Sequence, residues 1–155
     1  MHTGFEIRRA TESDIEFIQA LTREVFTDYA AEIGANVDAL TETYDDIKND
    51  INNKLVFIAF SDGLPSGSVR VEVKDGAAYL YRFGVRREYQ GNGVGKAVMN
   101  VVDRAMMDLD VKRITLYTAS KAAALVRFYY ARGFYIDSTT KDRGYIRAMM
   151  VKEYF

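Results

Sequence analysis

The sequence predicts an α/β fold: a mixed, mostly antiparallel central sheet of six to seven strands with about four helices. Three observations predict it. Apolar residues recur at helical spacing in four segments and alternate with period two in others. Asp-Gly pairs separate three consecutive alternating segments, which is a hairpin signal. A helical segment lies between two strands from Ala77 to Thr118, the pattern of a parallel crossover. At 155 residues the chain is expected to form one domain, over 1–155, with a core of its own.

In chain order, Phe5–Ala10 alternates as a first strand, and Thr11 followed by Asp14 resembles a capping box. Ile15, Ile18, Leu21 and Val25 then form an apolar stripe at helical spacing. Val37–Asn52 reads as a second helix, with Leu40, Tyr44, Ile47 and Ile51 on one face. Lys54–Phe60, Gly67–Lys74 and Ala77–Val85 read as an antiparallel meander, broken by Asp62-Gly63, with Pro65 just beyond, and by Asp75-Gly76. Gly93–Leu109 returns to helical period through Val94, Ala97, Val98, Val101, Val102 and Ala105. Arg113–Thr118 is a strand, Ala122–Arg132 a short helix ended by Gly133, and strands near Phe134–Ser138 and Ile146–Lys152 follow.

Composition removes several chemistries. There is no cysteine, hence no thiol nucleophile and no zinc–thiolate site, and no metal is expected. The only histidine is His2, at a terminus expected to fray, so a serine–histidine triad is not expected. A net charge of −1 gives no signal for nucleic acid. The longest apolar run, Val56–Phe60, is far short of a membrane span, and the first residues hold no secretory stretch, so a cytoplasmic protein is expected.

The most informative residues follow the Ala77–Val85 strand. Gln90-Gly91-Asn92-Gly93-Val94-Gly95-Lys96 sits between a strand and an amphipathic helix. Its glycines strip side chains from the turn, and a helix N-terminus leaves unsatisfied N–H donors there, which suits an anionic phosphate. One charge at an exposed N-terminus gains only about 0.3–1 kcal/mol, so converging amides must supply most of the binding. Ala97 follows Gly95-Lys96 where a P-loop needs Ser or Thr, and the dinucleotide fingerprint would need its third glycine at position 96.

What the loop does match is Gln/Arg-x-x-Gly-x-Gly/Ala. Val85-Arg86-Arg87-Glu88-Tyr89-Gln90-Gly91-Asn92-Gly93-Val94-Gly95 resembles the acetyl-CoA-binding motif of the GNAT superfamily of N-acetyltransferases, with Arg87 where proline is common. Phe128-Tyr129-Tyr130-Ala131-Arg132-Gly133-Phe134 resembles the family's second motif, and the element order agrees over almost the whole chain.

The resemblance implies splayed parallel strands at the cofactor site and acetyl transfer from acetyl-CoA to a primary amine by direct attack. Gln90, Gly91, Asn92, Gly93, Val94, Gly95 and Lys96 would bind the pyrophosphate. Phe83, Gly84 and Val85 would follow the pantetheine arm, with a backbone N–H at Phe83–Val85 polarising the thioester carbonyl. Gly84 itself signals a bulge or a close backbone approach. Tyr129 matches the tyrosine that protonates the departing thiolate, and Phe128 stands beside it. The family usually has asparagine seven residues earlier; here that is Ala122, and Ser120 is the substitute expected to contact the cofactor. Deprotonating a lysine-like amine at neutral pH costs about 4–5 kcal/mol. The strand position that carries a base in some relatives has no carboxylate here, leaving Glu72, Glu24, Asp28 or a water chain.

Between positions 28 and 50 lie seven acids (Asp28, Glu32, Asp38, Glu42, Asp45, Asp46, Asp50) against the base Lys48. They read either as a wall favouring a cationic acceptor or as a solvated helix surface. Arg86, Arg87, Lys96 and Arg127 are expected near the cofactor phosphates. The partners expected are thus acetyl-CoA and an amine acceptor, with the protein a monomer or homodimer. A catalytically silent acyl-CoA-binding or sensing domain is the alternative.

Overall fold

A computed structural model describes residues Gly4–Tyr154; His2 lies outside them. Seven strands form one sheet in the order β1-β2-β3-β4-β5-β7-β6. They are β1 (Phe5–Arg9), β2 (Leu55–Ser61), β3 (Leu64–Lys74), β4 (Ala77–Val85), β5 (Arg113–Ala119), β6 (Tyr135–Thr140) and β7 (Arg147–Glu153). The helices are α1 (Ile15–Ile33), α2 (Tyr44–Asn53), α3 (Val94–Asp108) and α4 (Ala123–Ala131). The mixed, mostly antiparallel sheet and the four helices are those the sequence predicts. All neighbours run antiparallel except β4 and β5.

Local chemistry accounts for the elements. Both Asp-Gly pairs adopt positive φ at the two central residues, 50° and 83° at Asp62-Gly63 and 53° and 77° at Asp75-Gly76. That is the backbone of a tight hairpin whose twist matches its strands. β2 is buried on both faces, which explains its unbroken apolar run. Val56 and Ile58 pack with Ile15, Ile18 and Ile47 of the α1/α2 layer. Phe57 and Ala59 join the larger core with Val98, Val102 and Met106 of α3.

One expected helix is different. Val37–Asn52 is a 3-10 turn at Asp38–Thr41 followed by α2, separated by extended residues at Glu42 and Thr43. Glu42 closes the first segment and Thr43 starts the second: the Thr43 hydroxyl accepts from the Asp46 N–H at 3.2 Å, and the Asp46 carboxylate accepts from the Thr43 N–H at 2.9 Å. This reciprocal cap satisfies the N-terminal donors that a continuous helix would have bonded internally. The period of apolar residues runs across the break, so periodicity alone joined the two pieces.

Candidate active site

The site begins where the sheet comes apart. β4 and β5 pair only at Ala77↔Arg113, Ala78↔Ile114 and Tyr79↔Thr115. Beyond Tyr79 the two parallel strands diverge, and the backbone edge of β4 facing β5 has no strand partner. Across β4 the register with β3 jumps from Arg70↔Tyr81 to Ser68↔Gly84, so Arg82 and Phe83 stand opposite Val69 alone. This bulge bends the strand away from its neighbour, as an extra residue does. Arg82 carries the distortion, with φ at +52°. Gly84 is therefore not the bulged residue. It answers a close approach: a Cβ there would lie 2.6 Å from Val25 Cγ1 of α1.

The gap opens into a cavity of about 860 Å³ that reaches from the glycine loop to the β6–β7 connection. At one end, Gly91 and Gly93 hold φ of 83° and 87°, conformations that favour glycine. A Cβ at Gly91 would meet nothing within 4 Å, so the loop is bare of side chains on that side. Gly93 caps α3, and the first helical bond runs from the Ala97 N–H to its carbonyl. Among the described residues the N–H groups of Gly93, Val94, Gly95 and Lys96 have no hydrogen-bond partner. Four free donors at a helix N-terminus suit an anion. Gln90 secures the approach by donating from Nε2 to the Val85 carbonyl at 3.0 Å. Gln90, Gly91, Gly93, Gly95 and Lys96 line the cavity. Val94 turns its side chain into the core, and Asn92 is exposed.

Phe83, Gly84, Val85, Phe128 and Tyr129 line the middle. Phe83 and Phe128 stack at 5.6 Å, and Tyr129 sits among Phe83, Phe128 and Phe134 with 5% of its surface exposed. Burial pushes the Tyr129 phenol well above its ordinary range, because a phenolate there would be desolvated. Two expected residues are elsewhere. Glu72 is half-exposed, paired with Lys54 at 3.2 Å, and does not line the cavity. Ser120 is exposed and donates to the Ile146 carbonyl at 3.2 Å, also off the lining. Ala122 is buried, so that position offers no polar group.

The charges near the cofactor end and in the acidic segment are largely matched to one another. Arg86 forks onto Glu24, and Arg87 pairs with Asp28 at 3.1 Å. Lys96 lines the cavity, whereas Arg127 is exposed away from it. Asp38 pairs with Arg143 at 2.7 Å, and Glu42 and Asp50 hold the fully buried Arg70. Asp46 is occupied in the α2 cap. Of the seven acids only Asp28, Glu32 and Asp38 reach the lining, where Arg82, Arg87, Lys96, Arg143 and Arg147 outnumber them.

Several lining residues escaped the sequence reading. Tyr79 and Tyr81 stack at 5.4 Å on β4, and Tyr117 of β5 meets Tyr79 edge-on at 6.2 Å, paving the fork of the strands. Their spacing of two along β4, continued by Phe83, is visible in the sequence as one strand face. Tyr29 of α1 accepts from the Ala119 N–H at 2.8 Å and ties the free end of β5 to the helix. Arg147, the first residue of β7, has no signal in the sequence, because its surroundings come from β5 and the β6–β7 connection.

Comparison with known proteins agrees with this geometry. The mycothiol acetyltransferase of Propionibacterium freudenreichii is 33% identical over 91 residues, 59% of this chain, but the match spans only 25% of that longer protein. The PaiA N-acetyltransferase of Thermoplasma acidophilum, solved in complex with coenzyme A, superposes with a TM-score of 0.85 at 22% identity, covering 97% of this chain and 99% of that one. The ribosomal-protein-S18-alanine N-acetyltransferase of Escherichia coli gives 0.80 at 16% identity, over 97% and 94%. The model of the Acetyltransferase (GNAT) family matches residues 17–134, from α1 through the glycine loop and α4. A match of that extent, laid over forked parallel strands and a donor-lined helix start, makes this chain a member of the GNAT acetyltransferase family.

Proposed function

We propose that the protein transfers the acetyl group of acetyl-CoA to a primary amine by direct attack, without an acyl-enzyme. The observation that carries this reading is the joining, in one cavity, of the unpaired β4 edge to the loop of free N–H groups at Gly93–Lys96. The loop fits a pyrophosphate, the β4 edge offers backbone groups to an amide-bearing arm, and the fork leaves room beyond for an acceptor. The coenzyme A held by the Thermoplasma neighbour supports the same use here. With no cysteine in the chain, no thiol is available to take the acetyl group.

Acetyl-CoA would supply an activated thioester. In the transfer a C–N bond forms, the C–S bond breaks with its electron pair leaving on sulfur, and the amine gives up a proton. The residues of this chain then have three tasks. A backbone N–H in Phe83–Val85 donates to the carbonyl oxygen as charge develops there. The Tyr129 hydroxyl, held neutral by burial, donates towards the leaving sulfur. Glu32, the lining carboxylate without an arginine partner among the described residues, would pass the amine proton to water.

Release of free thiol across a panel of amines, measured together with calorimetry for CoA, tests the proposal. Amine-dependent thiol release is the expected result. Gly93→Glu should abolish CoA binding with the global circular dichroism unchanged, because it sets a carboxylate beside the free N–H groups and a φ of 87° strains any side chain in the loop. CoA binding with no turnover of any amine would favour the silent sensing domain instead. Unchanged CoA affinity in a folded Gly93→Glu would remove the phosphate site.

A further inference from the structure

We infer that Arg147 is the specificity determinant of the acceptor site, receiving a carboxylate, so that the preferred acceptor is an amino acid or a short peptide. This inference rests on the acetyl-transfer reading above. Arg147 lines the cavity yet is nine-tenths buried. Its guanidinium lies over the Tyr117 ring at 4.5 Å, at the end of the Tyr81–Tyr79–Tyr117 row. Asp142 holds it through Nη2 at 3.0 Å, and Asp142 is not part of the lining. No other atom of the guanidinium has a hydrogen-bond partner among the described residues, and Nε is buried without one.

An unpartnered Nε also occurs at Arg70 and Arg132, so the distinguishing atom is Nη1 of Arg147, which has no partner although the residue lines the cavity, and which points to a ligand that completes the guanidinium. Each lining arginine has one carboxylate partner, but the others are more open to water: the side chains of Arg82, Arg87 and Arg143 are 25%, 78% and 51% exposed against 11% for Arg147. The chemistry of the missing partner follows from the group. A planar guanidinium presents a fork of donors that matches a carboxylate, and the Tyr117 ring packs against it. The tyrosine row beside it offers flat apolar surface for a side chain. The acceptor end thus recognises an anion beside an apolar body, whereas a polyamine would place a cation against Arg147.

The test compares each of a set of large apolar amino acids with its carboxamide and with its decarboxylated amine, using acetyl-CoA and the full chain. Wild-type protein should favour the carboxylate member about 10- to 100-fold in kcat/KM, mainly through KM, as one charge-assisted bond implies. In Arg147→Met the preference should collapse to within about twofold, and Arg147→Lys should fall between, because it keeps the charge and loses the fork. Dipeptides in the same assay separate free amino acids from peptide C-termini as the source of the carboxylate. Equal or better use of the carboxamides by wild-type protein overturns the inference, whatever happens to the variants. Calorimetry of N-acetyl amino acids and their amides against the CoA complex gives a readout without turnover. If no amine is acetylated but the acids still bind more tightly than the amides in an Arg147-dependent way, the transfer reading fails and the carboxylate site stands. If acids and amides bind alike, the site fails.

Discussion

Tyr129 shows how far one side chain's surroundings set its chemistry. Burial among Phe83, Phe128 and Phe134 raises its pKa, so it is a neutral donor throughout the physiological range and a poor source of a fully transferred proton. Tyr129→Phe keeps the rings packed and should lower kcat about 10- to 100-fold with little change in KM for acetyl-CoA, at or below the low end of general acid effects. Because the folded pKa is raised, Tyr129 should produce no falling limb in the rate between pH 8 and 10, and steady-state kinetics over that window check both points. Gly84 makes a different demand. In Gly84→Ala the new methyl would collide with Val25, and a loss of about 1–3 kcal/mol of stability is expected from such overpacking. Val25→Ala in the same chain should restore part of it, measured by urea unfolding. The sequence marked Gly84 as a close approach or a bulge but could not distinguish them, because the deciding atom belongs to a helix some sixty residues away. For the same reason Arg147 was illegible: isolated in an apolar strand, it has meaning only beside Tyr117 and the fork.

Elements were legible where their signals were local. The glycine loop, the strand before it and the helix after it lie within one continuous stretch, and turn chemistry, period and capping there agree. The segment from Asp38 to Asn53 was misread because the Thr43 cap interrupts a helical period without a glycine or proline to announce it. That interruption sends Glu42 inward, where it and Asp50 of α2 clasp Arg70 from β3. Glu42 also meets Arg82 Nε at 3.4 Å, so the clasp supports the bulge from below. Glu42→Gln should destabilise the fold by about 3 kcal/mol, the low end for a broken buried pair because Asp50 remains. It should also raise acceptor KM as Arg82 loosens. Thermal unfolding and acceptor kinetics on one preparation test both effects.

At the scale of the molecule, carboxylates fasten chain segments. The Asp14 carboxyl is held below the usual range chiefly by Arg8, then by the Thr11 N–H; the Asp46 carboxyl is lowered by Thr43 and the Asp142 carboxyl by Arg147. A depressed folded pKa means stability that is present above the unfolded value, about 3.9, and lost as pH falls through the folded one. Stability should therefore be nearly level from about pH 7 to 5 and fall steeply below about pH 4. Asp14→Asn should be less stable at pH 7 yet show a shallower acid slope, which chemical denaturation at several pH values would reveal. The three-rung contact between β4 and β5 has a consequence beyond catalysis. The sheet is two leaves joined at a short spine, and under the proposed function acetyl-CoA would occupy the gap between them. A ligand that binds only the folded form stabilises it by about 2.7 kcal/mol at a hundred times its Kd. Through that linkage the protein would resist proteolysis longest when acyl-CoA is plentiful, so its abundance as well as its rate would follow the metabolic supply.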